Sequence, residues 1–183
     1  MNKGALTLEG RITRLRELRT TDVDDVVAII GDDRVTRFLS FDSRDRNYAE
    51  SMISGVAERA AAEPRAEYYM AVTSLESDAL IGFVRIATSG VRAAKLGYAI
   101  AAEFWGRGYA TDAVRTMVDF AFARLELHRI TAAIGPDNAA SHVVVRKLGF
   151  VKEGVLRDHV FTNGAWRDSV LYSILASEWS ADG

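Results

Sequence analysis

The feature that most constrains this chain is a change of period. Residues 67–74, 80–88 and 95–102 read as three strands parted by short polar or glycine-containing turns. Directly afterwards the apolar residues fall at Ala110, Ala113, Val114, Met117 and Ala121, widened by Val118, Phe122 and Leu125, which is the spacing of a long amphipathic helix. Between the two regimes stands Glu103-Phe104-Trp105-Gly106-Arg107-Gly108-Tyr109-Ala110-Thr111-Asp112. A strand, a glycine turn and a helix meet there. Three successive strands suggest an antiparallel meander, and the whole order calls for an α+β or α/β layer on a mixed sheet.

The flanking elements fit the same plan. Residues 8–19 alternate as a first strand, and Thr20 and Thr21 lead into a helix carrying Val23, Val26, Val27 and Ile30. A second helix carries Ala49, Met52, Ile53, Val56 and Ala60 and stops before Pro64, which disfavours helical geometry at Glu63. Residues 129–135 return to strand alternation, and Asn138 is placed to cap a helix ending near Gly149. Residues 155–162 and 165–175 flank Asn163-Gly164, a pair suited to the positive φ angles of a tight hairpin turn. With prolines only at 64 and 136 and no linker-like run, one continuous domain over residues 1–183 is expected.

Charge and composition remove several function classes. Lysine and arginine number 23 against 25 acidic residues, so no global excess is available to hold a nucleic-acid backbone. Cysteine is absent, which excludes disulfides, thiolate metal sites and a covalent cysteine intermediate, and suits a reducing compartment. The three histidines form no i, i+4 pair, so no metal site is expected. Glu9, Arg11, Arg14 and Arg16 stand where a signal peptide needs an apolar stretch, and no later run reaches the ~18 apolar residues of a membrane span. A cytoplasmic protein without a membrane partner is expected.

The glycine turn carries the chemistry. Gly106 and Gly108 let main-chain N–H groups approach a ligand, while the first turn of the following helix leaves donors unpaired beside a partial positive charge. Such a nest suits a phosphate or pyrophosphate. The alternative is an ordinary turn capped by Thr111 or Asp112. A P-loop string is absent, and a dinucleotide fingerprint breaks at Thr111, where its third glycine belongs.

Three strings taken together carry a resemblance: Trp105-Gly106-Arg107-Gly108-Tyr109-Ala110, Leu125-Glu126-Leu127-His128-Arg129-Ile130, and Asn138-x-x-Ser141-x-x-Val144-x-x-Lys147-Leu148-Gly149-Phe150-x-x-Glu153-Gly154. They resemble the GCN5-related N-acetyltransferase (GNAT) family, and within it the branch similar to the ribosomal-protein alanine acetyltransferases. Nearly the whole chain is covered. The family's pyrophosphate loop, Q/R-x-x-G-x-G/A, is matched at Gly108 and Ala110, with Trp105 in first position. The fold implied is an α/β (α+β), mostly antiparallel central sheet flanked by about four helices, with a C-terminal β-hairpin.

The resemblance also implies a site for acetyl-CoA as co-substrate. Main chain at Arg107, Gly108, Tyr109, Ala110 and Thr111 would hold the pyrophosphate. Tyr98, Ala99 and Ile100, where a strand splays from its neighbour, would offer backbone groups to pantetheine and the thioester carbonyl. Asn138 would contact pantetheine or the amine, and Ser141 would face the departing sulfur, whose proton would come from Ser141 or from water. Ser141 lies on the stripe of Val144, Val145 and Leu148, which turns it inward. Glu103 is a candidate base, beside Asp158, Asp168, His159 and a base acting through water. Arg146 or Lys147 could assist with the phosphates.

The expected activity is acetyl transfer to a primary amine, on a small molecule or a polypeptide N-terminus, by direct nucleophilic attack. The alternatives are a non-catalytic acyl-CoA-binding or sensing domain and, third, a nucleotide-binding oxidoreductase. Residues 20–50 are net acidic, which either favours a cationic acceptor or forms a solvated face. Strand or hairpin edges could pair two subunits into a homodimer.

Overall fold

Eight strands are observed in a computed structural model that describes residues 5–180. They are β1 (Thr7–Glu9), β2 (Thr13–Glu17), β3 (Glu67–Ser74), β4 (Leu80–Thr88), β5 (Ala93–Ile100), β6 (Arg129–Ile134), β7 (Val151–Thr162) and β8 (Ala165–Leu175). All join one sheet in the order β1-β2-β3-β4-β5-β6-β8-β7. Five helices flank it: α1 (Val23–Ile30), α2 (Asp33–Thr36), α3 (Arg46–Ala61), α4 (Tyr109–Arg124) and α5 (Ala139–Lys147). Neighbouring strands run antiparallel except β5 and β6, which are parallel because α4 returns the chain across the sheet between them.

Alternation along the strands divides the interior in two. On one face Met70, Val72, Val84 and Ile86 pack against the α4 stripe of Ala113, Val114, Met117, Val118 and Ala121, joined by Val145 of α5 and by Leu148 just beyond its end. On the other, Ala71 and Phe83 meet Val26, Ile29 and Ile30 of α1 and Ala49, Ile53 and Val56 of α3. Each buried Val, Ile or Met contributes about 1.5–3 kcal/mol of transfer free energy, so the two apolar stripes decide where the helices dock.

Several boundaries differ from expectation. The first strand is two strands, β1 and β2, because the chain turns at Gly10 and the Asp112 carboxylate collects the N–H groups of Arg11, Ile12 and Thr13. A Cβ at Gly10 would stand 2.4 Å from Asp112 Oδ2, so the close approach requires glycine. The short α2 adds a fifth helix; Asp32 caps it by accepting from the Arg34 N–H. β5 begins at Ala93 and ends at Ile100, two residues earlier than expected at each end. β7 starts at Val151 and passes two register shifts before the Asn163-Gly164 turn. Among the described residues no helix is long and apolar enough to cross a membrane.

Candidate active site

The site opens where two strands part. β5 pairs with β6 only through residues 93–96 against 129–132, after which β6 continues on β8 and β5 stays with β4. A Cβ at Gly82 of β4 would lie 2.4 Å from the Ala99 carbonyl oxygen, so glycine permits β5 to track β4 this closely. Main-chain groups of a strand point alternately to its two sides. Those of residues 97–100 turned away from β4 therefore face the gap.

The glycine turn closes one end of this gap. Gly106 and Gly108 take φ of +76° and +84°, and Gly108 is the N-cap of α4 with no side-chain hydrogen bond to the first turn. The alternative of a turn capped by Thr111 or Asp112 does not hold. The Asp112 carboxylate points the other way, accepting from the N–H groups of Arg11, Ile12 and Thr13 at 2.9–3.0 Å and from the Thr13 hydroxyl at 2.7 Å. The leading N–H groups of α4 are left to whatever lies in front of them.

A cavity of about 360 Å³ lies there, lined by Tyr98, Ala99, Ile100, Gly108, Tyr109, Ala110, Thr111, Asn138 and Ser141 from the expected set. Lys147 also lines it, whereas the Arg146 Nε donates to the His142 carbonyl. Arg107 is not part of the lining; its guanidinium lies 5.6 Å from the Phe104 ring centroid. Glu103 is also outside it, on the turn before Trp105, exposed and ion-paired with Arg34. A hydrogen bond from its own main chain and the Arg34 guanidinium hold the Glu103 carboxyl below the usual range.

Ser141 is held through its main chain. Its N–H donates to Asn138 Oδ1 at 3.1 Å, which caps α5 as expected, and its carbonyl accepts from the Tyr98 hydroxyl at 3.3 Å. Burial pushes the Tyr98 hydroxyl up to about 12 against the opposing effect of that hydrogen bond, so it remains a neutral donor. Tyr98 thereby ties β5 to α5 across the cavity.

Two groups of residues were not anticipated. Val35, Phe38 and Leu39 form an apolar wall, and the Asp32 cap was the local signal for the helix that begins it. The second is the tie made by Trp105, which donates its indole N–H to the Ile100 carbonyl at 2.7 Å. The acidic residues of 20–50 do not reach the cavity. Asp22 pairs with Arg16, Asp24 and Glu50 with Arg46, and Asp32 with Arg34. Asp25 and Asp45 accept from main chain, Asp33 from Ser43, and Asp42 from Thr162 and Asn163.

Comparison with known proteins decides the family. The profile of the acetyltransferase (GNAT) domain matches residues 13–151. This chain belongs to the GNAT family. The N-acetyltransferase YjcK of Bacillus subtilis, named as probable, is 33% identical over 92% of this chain and 96% of its own length. The ribosomal protein uS5 alanine N-acetyltransferase of Escherichia coli is 28% identical over 62% of this chain and 60% of its own. The solved structure of Mycobacterium smegmatis RimJ in complex with CoA-disulfide matches with a TM-score of 0.81 at 28% identity, covering 97% of this chain and 90% of that one. As a GNAT protein the chain is an acetyl-CoA-dependent N-acetyltransferase, which sets aside the sensing-domain and oxidoreductase alternatives.

Proposed function

We propose that this GNAT enzyme acts in the cytoplasm and moves the acetyl group of acetyl-CoA to the primary amine at a polypeptide N-terminus, by direct attack of that amine. The observation that carries the reading is the uncapped start of α4, which opens on the same cavity as Ser141 and the splayed end of β5. Acetyl-CoA supplies an activated acyl carbon and a thiolate leaving group. The free N–H groups of residues 108–111, with Lys147 on the cavity and Arg107 beside the turn, suit its diphosphate. Main-chain groups of residues 97–100 facing the gap suit the pantetheine arm, and a donor among them steadies charge gathering on the carbonyl oxygen.

Ser141 is the proton donor to the departing sulfur in this proposal, and Asn138 both caps α5 and faces the ligand. Glu103 acts at a distance. Its held-down carboxyl stays charged, which suits drawing in a protonated amine, and the amine's proton leaves to solvent water before attack.

Two observations favour a polypeptide N-terminus over a polyamine. The wall of Val35, Phe38, Leu39, Phe104 and Trp105 is apolar, and among the described residues no carboxylate lines the cavity. A polyamine carries further ammonium groups, each needing a counter-charge once withdrawn from water. A polypeptide start has one amine beside uncharged chain, and the Escherichia coli relative acts on an alanine of a ribosomal protein.

The test is thiol release from acetyl-CoA over an acceptor panel containing a peptide that begins with alanine, spermidine and a small alkyl amine. Release with the peptide supports the reading. Release with spermidine and none with the peptide overturns the choice of acceptor.

A further inference from the structure

The segment after α2 supplies Phe38 and Leu39 to the cavity wall, yet it is held from the far end of the chain. Arg167 of β8 donates from Nη1 to the Arg37 carbonyl at 2.5 Å and from Nη2 to the Leu39 carbonyl at 2.6 Å. These two carbonyls flank Phe38, so a single guanidinium fork brackets the residue that faces the cavity. The other end of the segment is fastened by the same hairpin: the Asp42 carboxylate accepts from the Thr162 hydroxyl at 2.6 Å and from the Asn163 N–H at 2.7 Å. Phe38 in turn meets the Trp105 ring, with centroids 6.4 Å apart.

Arg167 reaches these carbonyls at some expense to itself. Its Nε is buried with no hydrogen-bond partner among the described residues, an arrangement that stability alone disfavours. A shorter apolar side chain at 167 would avoid burying that orphan donor, and would lose both carbonyl contacts.

We propose that Arg167 is a positioning residue for the acceptor: it sets the Phe38–Leu39 wall by clamping the main chain on both sides of Phe38, and so governs how the amine-bearing substrate seats. The kinetic part of this inference rests on the N-acetyltransferase reading given above; the structural part does not. Lysine at 167 keeps the charge and offers no planar fork, so it cannot span both carbonyls in the same geometry.

The experiment compares the full chain with its Arg167→Ala and Arg167→Lys variants by backbone hydrogen exchange and by steady-state kinetics with acetyl-CoA and a peptide beginning with alanine. In both variants exchange at residues 37–42 is expected to rise while exchange in α4 stays unchanged, which also reports that the variant is folded. The peptide KM is expected to rise about tenfold with the acetyl-CoA KM within about twofold, since the two lost hydrogen bonds are charge-assisted. Methylguanidinium added to Arg167→Ala should restore both readings in part. Unchanged exchange at 37–42 overturns the clamp, and so does an equal rise of both KM values. If the unaltered enzyme does not acetylate the peptide, the acceptor reading falls, and the exchange at 37–42 still decides the clamp. Should Arg167→Ala not fold, Arg167→Lys gives the same two readings.

Discussion

The indole N–H of Trp105 donates to the main-chain carbonyl of Ile100 at 2.7 Å, joining the glycine turn to the last residue of β5. This hydrogen bond links the turn proposed to hold the diphosphate to the strand end proposed to face the pantetheine arm. Trp105→Phe keeps an aromatic ring against Phe38 and removes the donor. Acetyl-CoA affinity is expected to weaken about fivefold, the equivalent of the roughly 1 kcal/mol that such a bond contributes. Titration calorimetry checks this, and an unchanged affinity shows that the turn holds itself.

Ser141→Ala removes only the hydroxyl, because the residue's structural bonds run through its N–H and carbonyl. Turnover is expected to drop by ~10²–10⁴, the usual loss of a positioned acid, with acetyl-CoA affinity within about twofold. Single-turnover kinetics beside calorimetry separates the two. Unchanged turnover removes Ser141 from the chemistry.

Glu103→Gln should lower kcat by no more than about tenfold, short of the ~10²–10⁴ expected for a base in contact with the amine. The Glu103 carboxyl titrates below the ordinary range, so any limb of the pH–rate profile near neutrality should persist in the variant. Disappearance of that limb would mean that Glu103 takes the proton directly.

Asn138 has two jobs that two variants can divide. Asn138→Ala loses the acceptor for the Ser141 N–H, at a cost of about 0.5–2 kcal/mol, and its melting temperature should fall. Asn138→Asp keeps the acceptor and should melt near the parent while still lacking the amide N–H. Equal loss of acetyl-CoA affinity in both variants assigns a ligand contact; loss in the alanine variant alone assigns the cap.

Asp112 gives the fold a pH dependence. Burial opposes its charge, but the Ile12, Arg11 and Thr13 N–H groups and the Thr13 hydroxyl outweigh burial and lower its pKa. A carboxyl lowered on folding stabilises fully above its unfolded value, about 3.9 for aspartate, and loses that contribution as pH falls through the folded value. Asp112→Asn is therefore expected to destabilise by roughly 2 kcal/mol at about pH 7, and the gap from the parent should narrow towards about pH 3. Urea unfolding at both pH values measures it, and a gap independent of pH refutes the assignment.

What could be read in the chain was what is written locally. Strand alternation in β3, β4 and β8, the Asn138 cap and the Asn163-Gly164 turn need only near neighbours, and each stands where its residues point. The break at Gly10 was hidden because its cause, Asp112, lies about a hundred residues away. The α2 helix spans four residues, too few for periodicity to speak, so the wall of Val35, Phe38 and Leu39 went unseen. The pairing of Glu103 with Arg34 joins residues 69 apart and likewise has no local mark. In the candidate site, the glycine turn and the Asn138–Ser141 helix start were legible; the wall facing them, assembled from distant segments, was not.

The carboxylate behind the first turn of α4 has a consequence for how this enzyme can change. Anchorage of the helix is entrusted to its rear, where Asp112 grips the β1–β2 corner, and no side chain caps its first turn. Those contacts use main-chain N–H groups and the Thr13 hydroxyl, so most side chains in that corner can be exchanged without loosening the mooring of the helix.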